Sequence, residues 1–384
     1  MAKLALIRPH PSVQDIQFYN SQEIGLANAL AELGHYVDVI CIGPNNKFEK
    51  QNIAEFENGS VSRILLPYKK LPIIDLIYFP KLSSFLHEQQ YEFVHVNEFN
   101  EFVTYQVSRF SKKHKVPFVY YQGMYKQFPG KIYSLYQIIY DFFCLPSVKR
   151  HTSIALAKTS FAEKYIQEKG FTNTKVIPVG LDTKKLVLPD THEQDFAARF
   201  AIPTEHTLVI YIGSFEPRRN IELLTNIAQT LKDEPITFLY IGEGELLEGA
   251  KQFKQTHQLE NLLLPGAIPQ SELAAIYERA QIVLLASDYE IYGMILLEAM
   301  YFATAAISTL NAGSVDLIND DNGCIIESKD LQTWCDKVKE LSSSTETIGN
   351  MSKYAQVFVQ DNLTWEKVAE KYQAEILDPN LSEK

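Results

Sequence analysis

The feature that most narrows the fold is a repeated pairing of short apolar runs with helical stretches. In the first half, KLALI (3–7), YVDVICI (36–42), SRILLP (62–67), FVHV (93–96), PFVYY (117–121) and SIALA (153–157) read as strands. Helical patterns such as NSQEIGLANALAEL (20–33) lie between them, and Gly34 ends that helix. The second half repeats the scheme with TLVIYI (207–212), ITFLYI (236–241), NLLLP (261–265), QIVLLA (281–286) and AAIS (305–308). Strands that are apolar on both faces need cover on both faces, which means a parallel sheet between two layers of helix. Two such sets predict an α/β protein of two doubly wound, Rossmann-like domains. We expect them over residues 1–185 and 186–362, with the change-over inside VIPVGLDTKKLVLPD (176–190), where Pro and Gly break the pattern. The closing helical stretch within 363–384 can join either domain, and a return to the first is expected. Ligands of open parallel sheets sit beyond the carboxyl ends of the strands, so a cleft between the two domains is the expected site.

A chain of 384 residues is long for one domain and suits two. Its 46% hydrophobic and 22% charged residues describe a soluble globular protein. Cys41, Cys144, Cys324 and Cys335 are scattered, which suggests neither a zinc site nor a disulfide framework but reduced thiols in a cytoplasmic protein. The opening MAKLALIRPHP has too short an apolar run for a secretory signal, and no stretch of about 18 apolar residues follows. The net charge of −11 divides unevenly, with +5 over residues 1–190 and −16 over the rest, which argues for two units with different partners. A pI near 5.4 and no recognisable binding module argue against nucleic acid.

Chemistry concentrates in SDYEIYGMILLEAM (287–300). On one helix Glu290 and Glu298 would stand roughly 80° apart, so they would not share a face. A helix opening at Gly293 instead leaves Glu290 in the preceding loop and Glu298 on the helix. Free N–H groups of the first turn then form an anion site. Glu290 is placed to accept from hydroxyls, and Glu298, flanked by Leu297, Ala299 and Met300, needs donors such as the vicinal hydroxyls of a ribose. The same spacing also fits a Glu298 paired with a nearby base and a solvated Glu290. In YIGSFEPRRNIELL (211–224), Arg218 and Arg219 at a strand-to-helix junction suit phosphate oxygens, or else form a solvated turn. IGEGELL (241–247) reads as a turn, because Leu247 stands where a dinucleotide loop needs its last glycine and Glu243 and Glu245 would repel a pyrophosphate.

Glu290-x7-Glu298 with LEAM, together with YIGSFEPRRN, YIGEGEL, LLLPGAIPQSELAAIYERA and NAGSVDLI, resembles the family-4 retaining glycosyltransferases of two-domain GT-B architecture. In the first half the resemblance covers GLANALAELGHYVDVI, FVHVNEFNEF and TSFAEKYIQEKGFTNTKVIPVGLDT, and so spans nearly the whole chain. It implies that Glu298 holds the nucleotide ribose, that Glu290 contacts the transferred sugar, and that N–H groups around Tyr292, Gly293 and Met294 bind the diphosphate. It further implies that Arg219 neutralises the leaving pyrophosphate and that Gly266, Ala267 and Ile268 frame the base. Such a site needs no metal or other cofactor, and no convincing D-x-D is present. The donor is then a nucleotide-diphosphate sugar, with UDP expected, and the reaction a retaining hexosyl transfer.

The chain departs from the family pattern in several places. Ser214 follows Gly213 where many relatives carry an arginine, so one diphosphate contact is missing or comes from Arg218. Gln17 and Phe18 stand near the place of a glycine pair. Asn20 and Glu23 still resemble a capping box that aims N–H groups at the cleft. Gln122, placed where relatives often have a histidine, can hydrogen-bond a sugar but cannot shuttle a proton. Thr304 falls within Ala303-Thr304-Ala305, where a small-x-Pro is usual.

The acceptor side is less legible. Residues 68–86 and 126–150 mix lysines with dense aromatic and aliphatic residues, the composition of segments that lie on an anionic membrane, and equally of core helices with solvated ends. A glycan or lipid-linked acceptor in cell-surface polysaccharide synthesis, with peripheral association at the inner face of the membrane, is the expectation. The alternatives are a non-catalytic nucleotide-sugar-binding subunit, favoured by Ser214 and Gln122, and a nucleotide-sugar epimerase.

Overall fold

The computed structural model describes residues 1–13, 20–70, 76–127, 130–188 and 199–378. The chain divides into two compact units, Met1–Asp182 together with Trp365–Lys384, and Thr183–Thr364.

The first unit holds β1 (Lys3–Ile7), β2 (Tyr36–Cys41), β3 (Glu49–Glu55), β4 (Ser60–Leu65), β5 (Lys69–Lys70), β6 (Ile77–Tyr78), β7 (Phe93–Asn97), β8 (Phe118–Gln122), β9 (Ile154–Ala157) and β10 (Thr174–Val176). Eight of them form one sheet in the order β10-β9-β8-β7-β1-β2-β4-β3. Every pairing in it is parallel except β3 with β4. The two short strands β5 and β6 pair apart as an antiparallel hairpin. The second unit holds β11 (Thr207–Ile212), β12 (Ile236–Ile241), β13 (Leu262–Gly266), β14 (Ile282–Leu285), β15 (Ala305–Thr309) and β16 (Gly323–Ile326), all parallel, in the order β13-β12-β11-β14-β15-β16.

Central strands match the all-apolar runs of the sequence, since burial on both faces demands them. The all-parallel expectation for the first unit needs one correction at β3. Its sequence EKQNIAE is polar and mostly exposed, as suits an antiparallel strand at a sheet edge. Strands β10 and β16 are likewise short edge pieces whose sequences carry no long apolar run.

The helix Gln22–Glu32 also differs at its start. Its N-cap is Ser21, with no side-chain cap, so the Asn20–Glu23 capping box does not form. Asn20 turns inward instead: its Oδ1 accepts from Asp182 N at 3.1 Å and from Trp365 Nε1 at 3.0 Å, and its Nδ2 donates to Gly180 O at 3.3 Å. Glu23 accepts from Asn97 Nδ2 at 2.6 Å. The Gln17-Phe18 position lies outside the described residues.

Trp365 opens the helix Trp365–Tyr372, which packs on the helix Gln22–Glu32 of the first unit. Its indole lies between two glycines, since a Cβ on Gly25 would stand 2.1 Å from Nε1 and one on Gly180 2.5 Å from Cδ2. Only a residue without a side chain fits at either place. We expect Trp365→Ala to destabilise the first unit by about 3–5 kcal/mol, read as a lowered urea midpoint; an unchanged midpoint would contradict this packing role.

Candidate active site

In the second unit β11 lies beside β14, with Val209 opposite Ile282 and Ile210 opposite Val283. From β11 the chain continues to β12 on one side, and from β14 to β15 on the other. The loops leaving these two neighbouring strands therefore part, and a doubly wound sheet offers its ligand crevice at that point. Every donor-side candidate except Gly266, Ala267 and Ile268 comes from these two loops or from the helix that follows β14.

The loop after β11 runs through Gly213 and Ser214 into a short 3₁₀ turn, Pro217–Arg219, then Asn220 in the left-handed region (φ 52°), then the helix Ile221–Thr230. The loop after β14 runs from Ser287 to Gly293 and enters the helix Met294–Tyr301. The two are stitched together at several points. Asp288 N donates to Arg218 O at 2.9 Å, and Asn220 Nδ2 donates to Ala286 O at 2.6 Å and Asp288 Oδ1 at 2.7 Å. Arg218 Nη1 donates to Tyr289 O at 3.1 Å, and Arg219 Nη1 to Ser287 Oγ at 3.1 Å. Lys329 forms an ion pair with Asp288.

Glu290 sits at the centre of this junction. Its carboxylate forms an ion pair with Arg219, and Arg218 Nη1 stands 3.8 Å away. Glu290 is buried and Arg219 nearly so. Burial lowers the pKa of Arg219, so its charge needs compensation, and Glu290 supplies it. Arg218 is more exposed and pairs with Glu216 at 3.0 Å. The carboxyl of Glu216 is lowered by the Ser214 hydroxyl and then by Arg218. The Arg219–Glu290 pair sets aside the solvated alternative for these two residues, whereas Arg218 stays at the exposed side of the turn.

Glu298 is one turn inside the helix, buried, and accepts from Tyr277 Oη at 2.7 Å. Burial pushes its carboxyl up to about 8. Tyr277 belongs to the helix Gln270–Arg279, which follows β13 and the Gly266–Ile268 turn. Gly266 has φ 86°, and its carbonyl accepts from Gly242 N at 2.9 Å; Ala267 is exposed and Ile268 half-buried.

The helix Met294–Tyr301 begins at Gly293, the N-cap, in the left-handed region (φ 79°). Within its first turn Leu296 N donates to Gly293 O at 2.9 Å, and the helix dipole makes this end electropositive. Tyr292 is buried and Met294 half-buried. Beneath them lies Gly313, where a Cβ would come within 1.9 Å of Tyr292 O. Asn311 caps the helix Ala312–Leu317 by accepting from Gly313 N and Ser314 N, both at 3.0 Å, and so fixes that approach. Behind Gly213 and Ser214, the IGEGELL segment packs as a turn. A Cβ on Gly242 would meet Gly213 O at 1.9 Å, and Phe215 N donates to Glu243 O at 2.8 Å.

Gln122 belongs to the first unit and does not present its amide to a ligand. The side chain is wholly buried, with Oε1 accepting from Phe99 N at 3.0 Å and Nε2 donating to Met124 O at 2.9 Å. It braces two loops at the carboxyl end of β8, which corrects the expectation of a sugar contact.

Sequence reasoning passed over several contributors. Tyr277, Ser287, Asn220 and Gly313 each hold a named candidate or its loop. Only Gly313 left a legible sign, a glycine two residues after a capping asparagine. In the first unit the corresponding parting lies between β1 and β7. There Arg8 Nε stands 3.9 Å from Glu23, Lys158 Nζ donates to Gln22 Oε1 at 2.9 Å, and Glu98 Oε1 accepts from Gly123 N at 3.0 Å. Glu98 itself has φ 59°, and burial raises its carboxyl. Among the described residues no group of three or more His, Cys, Asp or Glu could hold a metal ion.

Two outcomes follow. A carboxyl raised in the folded state costs stability as pH rises from its unfolded value near 4.5 to about 8. Glu298→Gln should therefore gain in urea midpoint over the wild type across that window, and a pH-independent difference would refute the assignment. Gly313→Val should displace the Tyr292–Gly293 turn and lower Tm by several degrees, about 2–4 °C for each kcal/mol lost, as read by calorimetry.

Residues 24–185 match the family model Glycosyltransferase Family 4, and residues 193–358 match Glycosyl transferases group 1. A D-inositol 3-phosphate glycosyltransferase of Corynebacterium urealyticum is 26% identical over 59% of this chain and 57% of its own length. The chain thus spans little more than half of that relative. An uncharacterized glycosyltransferase of Methanocaldococcus jannaschii is 21% identical over 90% of both chains. The crystal structure of Anabaena HepE in complex with UDP shares the fold, with a TM-score of 0.74, 14% identity, and coverage of 98% of this chain and 100% of that one. A glycosyltransferase family model thus falls on each of the two compact units, and the fold shared with HepE is the two-domain GT-B fold.

Proposed function

We propose that the chain is a retaining hexosyltransferase that moves a sugar from UDP to a glycan or lipid-linked acceptor in cell-surface polysaccharide synthesis. The observation that carries this reading is the Arg219–Glu290 pair beside the first turn of the helix Met294–Tyr301. HepE, which shares the fold, was also solved with UDP-glucose. The donor's diphosphate would sit against the first-turn N–H groups and Arg219, with Arg218 alongside. An arriving diphosphate competes with Glu290 for the guanidinium, so donor binding frees the Glu290 carboxylate to accept from sugar hydroxyls. Positive charge held where the leaving diphosphate gains negative charge is usually the largest single source of rate in such a site. This charge comes from two arginines and a helix terminus, and the proposed chemistry uses neither metal nor other cofactor.

Glu298 would take the ribose. Two hydroxyl donors arriving at a buried carboxyl favour its ionised form and lower its pKa. Tyr277 orients the carboxyl before the donor arrives. Gly266, Ala267 and Ile268 would frame the base with backbone atoms.

A second reading, a donor-binding subunit without turnover, is favoured by the inward bonding of Gln122 and by Ser214 in place of an arginine. The purified chain should release UDP from a UDP-sugar once an acceptor is supplied, and donor binding without release would favour this second reading. Glu298→Ala should weaken UDP binding about 10–100-fold, as expected for loss of hydrogen bonds to a charged group. Glu290→Ala should lower kcat far more than it weakens UDP binding. Wild-type titrations and kinetics from both variants would remove the assignment.

A further inference from the structure

The helix Lys131–Phe143 is patterned inside out. Ile132, Leu135, Ile138, Ile139, Phe142 and Phe143 are between 49% and 73% exposed. At roughly 100° per residue these six side chains fall within an arc of about 140°. The opposite arc carries Tyr133, Tyr136, Gln137 and Tyr140, the more polar residues, and it is this face that packs inward. Tyr136 Oη donates to Asn100 O at 2.8 Å, and Tyr140 Oη donates to Phe99 O. A helix that hides tyrosines and shows isoleucines and phenylalanines has been selected for something that covers its outer face.

The charge around it says what that is. Residues 102–151 hold eight Lys and Arg against one acidic residue, Asp141, in a chain whose net charge is −11. Asp141 is itself paired with Lys169 at 2.7 Å. The helix Leu145–His151 follows directly and packs on the helix Phe102–His114, with Ser147 Oγ 3.0 Å from Ser108 Oγ. That packing gathers Lys112, Arg150, Lys115 and Arg109 around His151, whose pKa falls through burial and then through these four charges. Lys126 and Lys131 stand exposed at the other end of the apolar face.

We propose that the outward face of the helix Lys131–Phe143 docks on an anionic lipid bilayer, lying in its plane while the flanking cations meet the headgroups. An apolar stripe with basic flanks is the chemistry that binds such a surface. No helix among the described residues is long and apolar enough to cross a membrane, and this docking needs none. The described core residues of the 68–86 stretch do not join the surface. Ile77, Phe79, Leu82 and Leu86 are core, and residues 71–75 lie outside the described ones. The inference deepens the acceptor side of the proposed function, and its bearing on a lipid-linked acceptor rests on that reading.

The test is co-sedimentation of the purified chain with vesicles of phosphatidylcholine alone or with about 30% phosphatidylglycerol. We expect at least ~10-fold tighter binding to the anionic vesicles, weakening with salt. The double variant Ile138→Glu, Phe142→Glu should lose about tenfold or more of it while keeping its Tm and its UDP affinity. Lys112→Gln with Arg150→Gln should weaken binding to the anionic vesicles only. No anionic preference, or unchanged binding by the glutamate variant, would overturn the proposal. So would a wild-type dimer without vesicles that this variant converts to monomer, since a second copy would then be the cover. Vesicle binding needs neither donor nor turnover, so its failure would leave the donor-site reading intact, and loss of that reading would leave the vesicle result standing.

Discussion

The parting of the chain between β11 and β14 is the constraint on which the second unit's chemistry depends. Two adjacent strands send the chain on in opposite directions along one sheet, so their loops meet at the carboxyl edge only through side-chain and backbone contacts. The chain then places cationic Arg218 and Arg219 on one lip and Glu290 on the other. Bringing these charges together costs desolvation, and the geometry answers it by pairing them. A buried pair of this kind is weak evidence for stability. Under the proposed function it is a charge arrangement that an anionic donor would exchange with.

Backbone proximity supports that arrangement. Gly313 lets one helix terminus approach the Tyr292 carbonyl, and Gly242 lets a neighbouring turn approach Gly213. Asn220 bonds to both Ala286 and Asp288 and so sets the distance between the lips. Glu298 is held from a third element through Tyr277. The candidate residues thus rest on a braced frame, as the proposed transfer would require of groups that position a substrate.

The first unit shows a different division between pattern and environment. The expected capping box at Asn20 and Glu23 has the right residues, yet both are drawn elsewhere, Asn20 to Trp365 and Glu23 to Asn97. Local spacing could not foretell this, because Trp365 lies 345 positions away in sequence. Gln122 failed for the same reason: its amide is claimed by Phe99 and Met124 once the neighbouring loop folds. The mixed basic and aromatic stretches at 68–86 and 126–150 looked alike in composition. Packing buried most of the described apolar residues of one and turned six of those on the helix Lys131–Phe143 of the other outward.

From its sequence alone the chain determined the strand–helix alternation, the two parallel sheets and the placement of Glu290 in a loop and Glu298 on a helix. These follow from period, length and glycine position, which are local quantities. Tertiary structure decided which charge meets which, that Arg219 pairs with Glu290 while Glu298 takes a tyrosine hydroxyl, and which face of the helix Lys131–Phe143 is left uncovered. Partners in space are set by how distant segments pack, and no spacing along the chain encodes that.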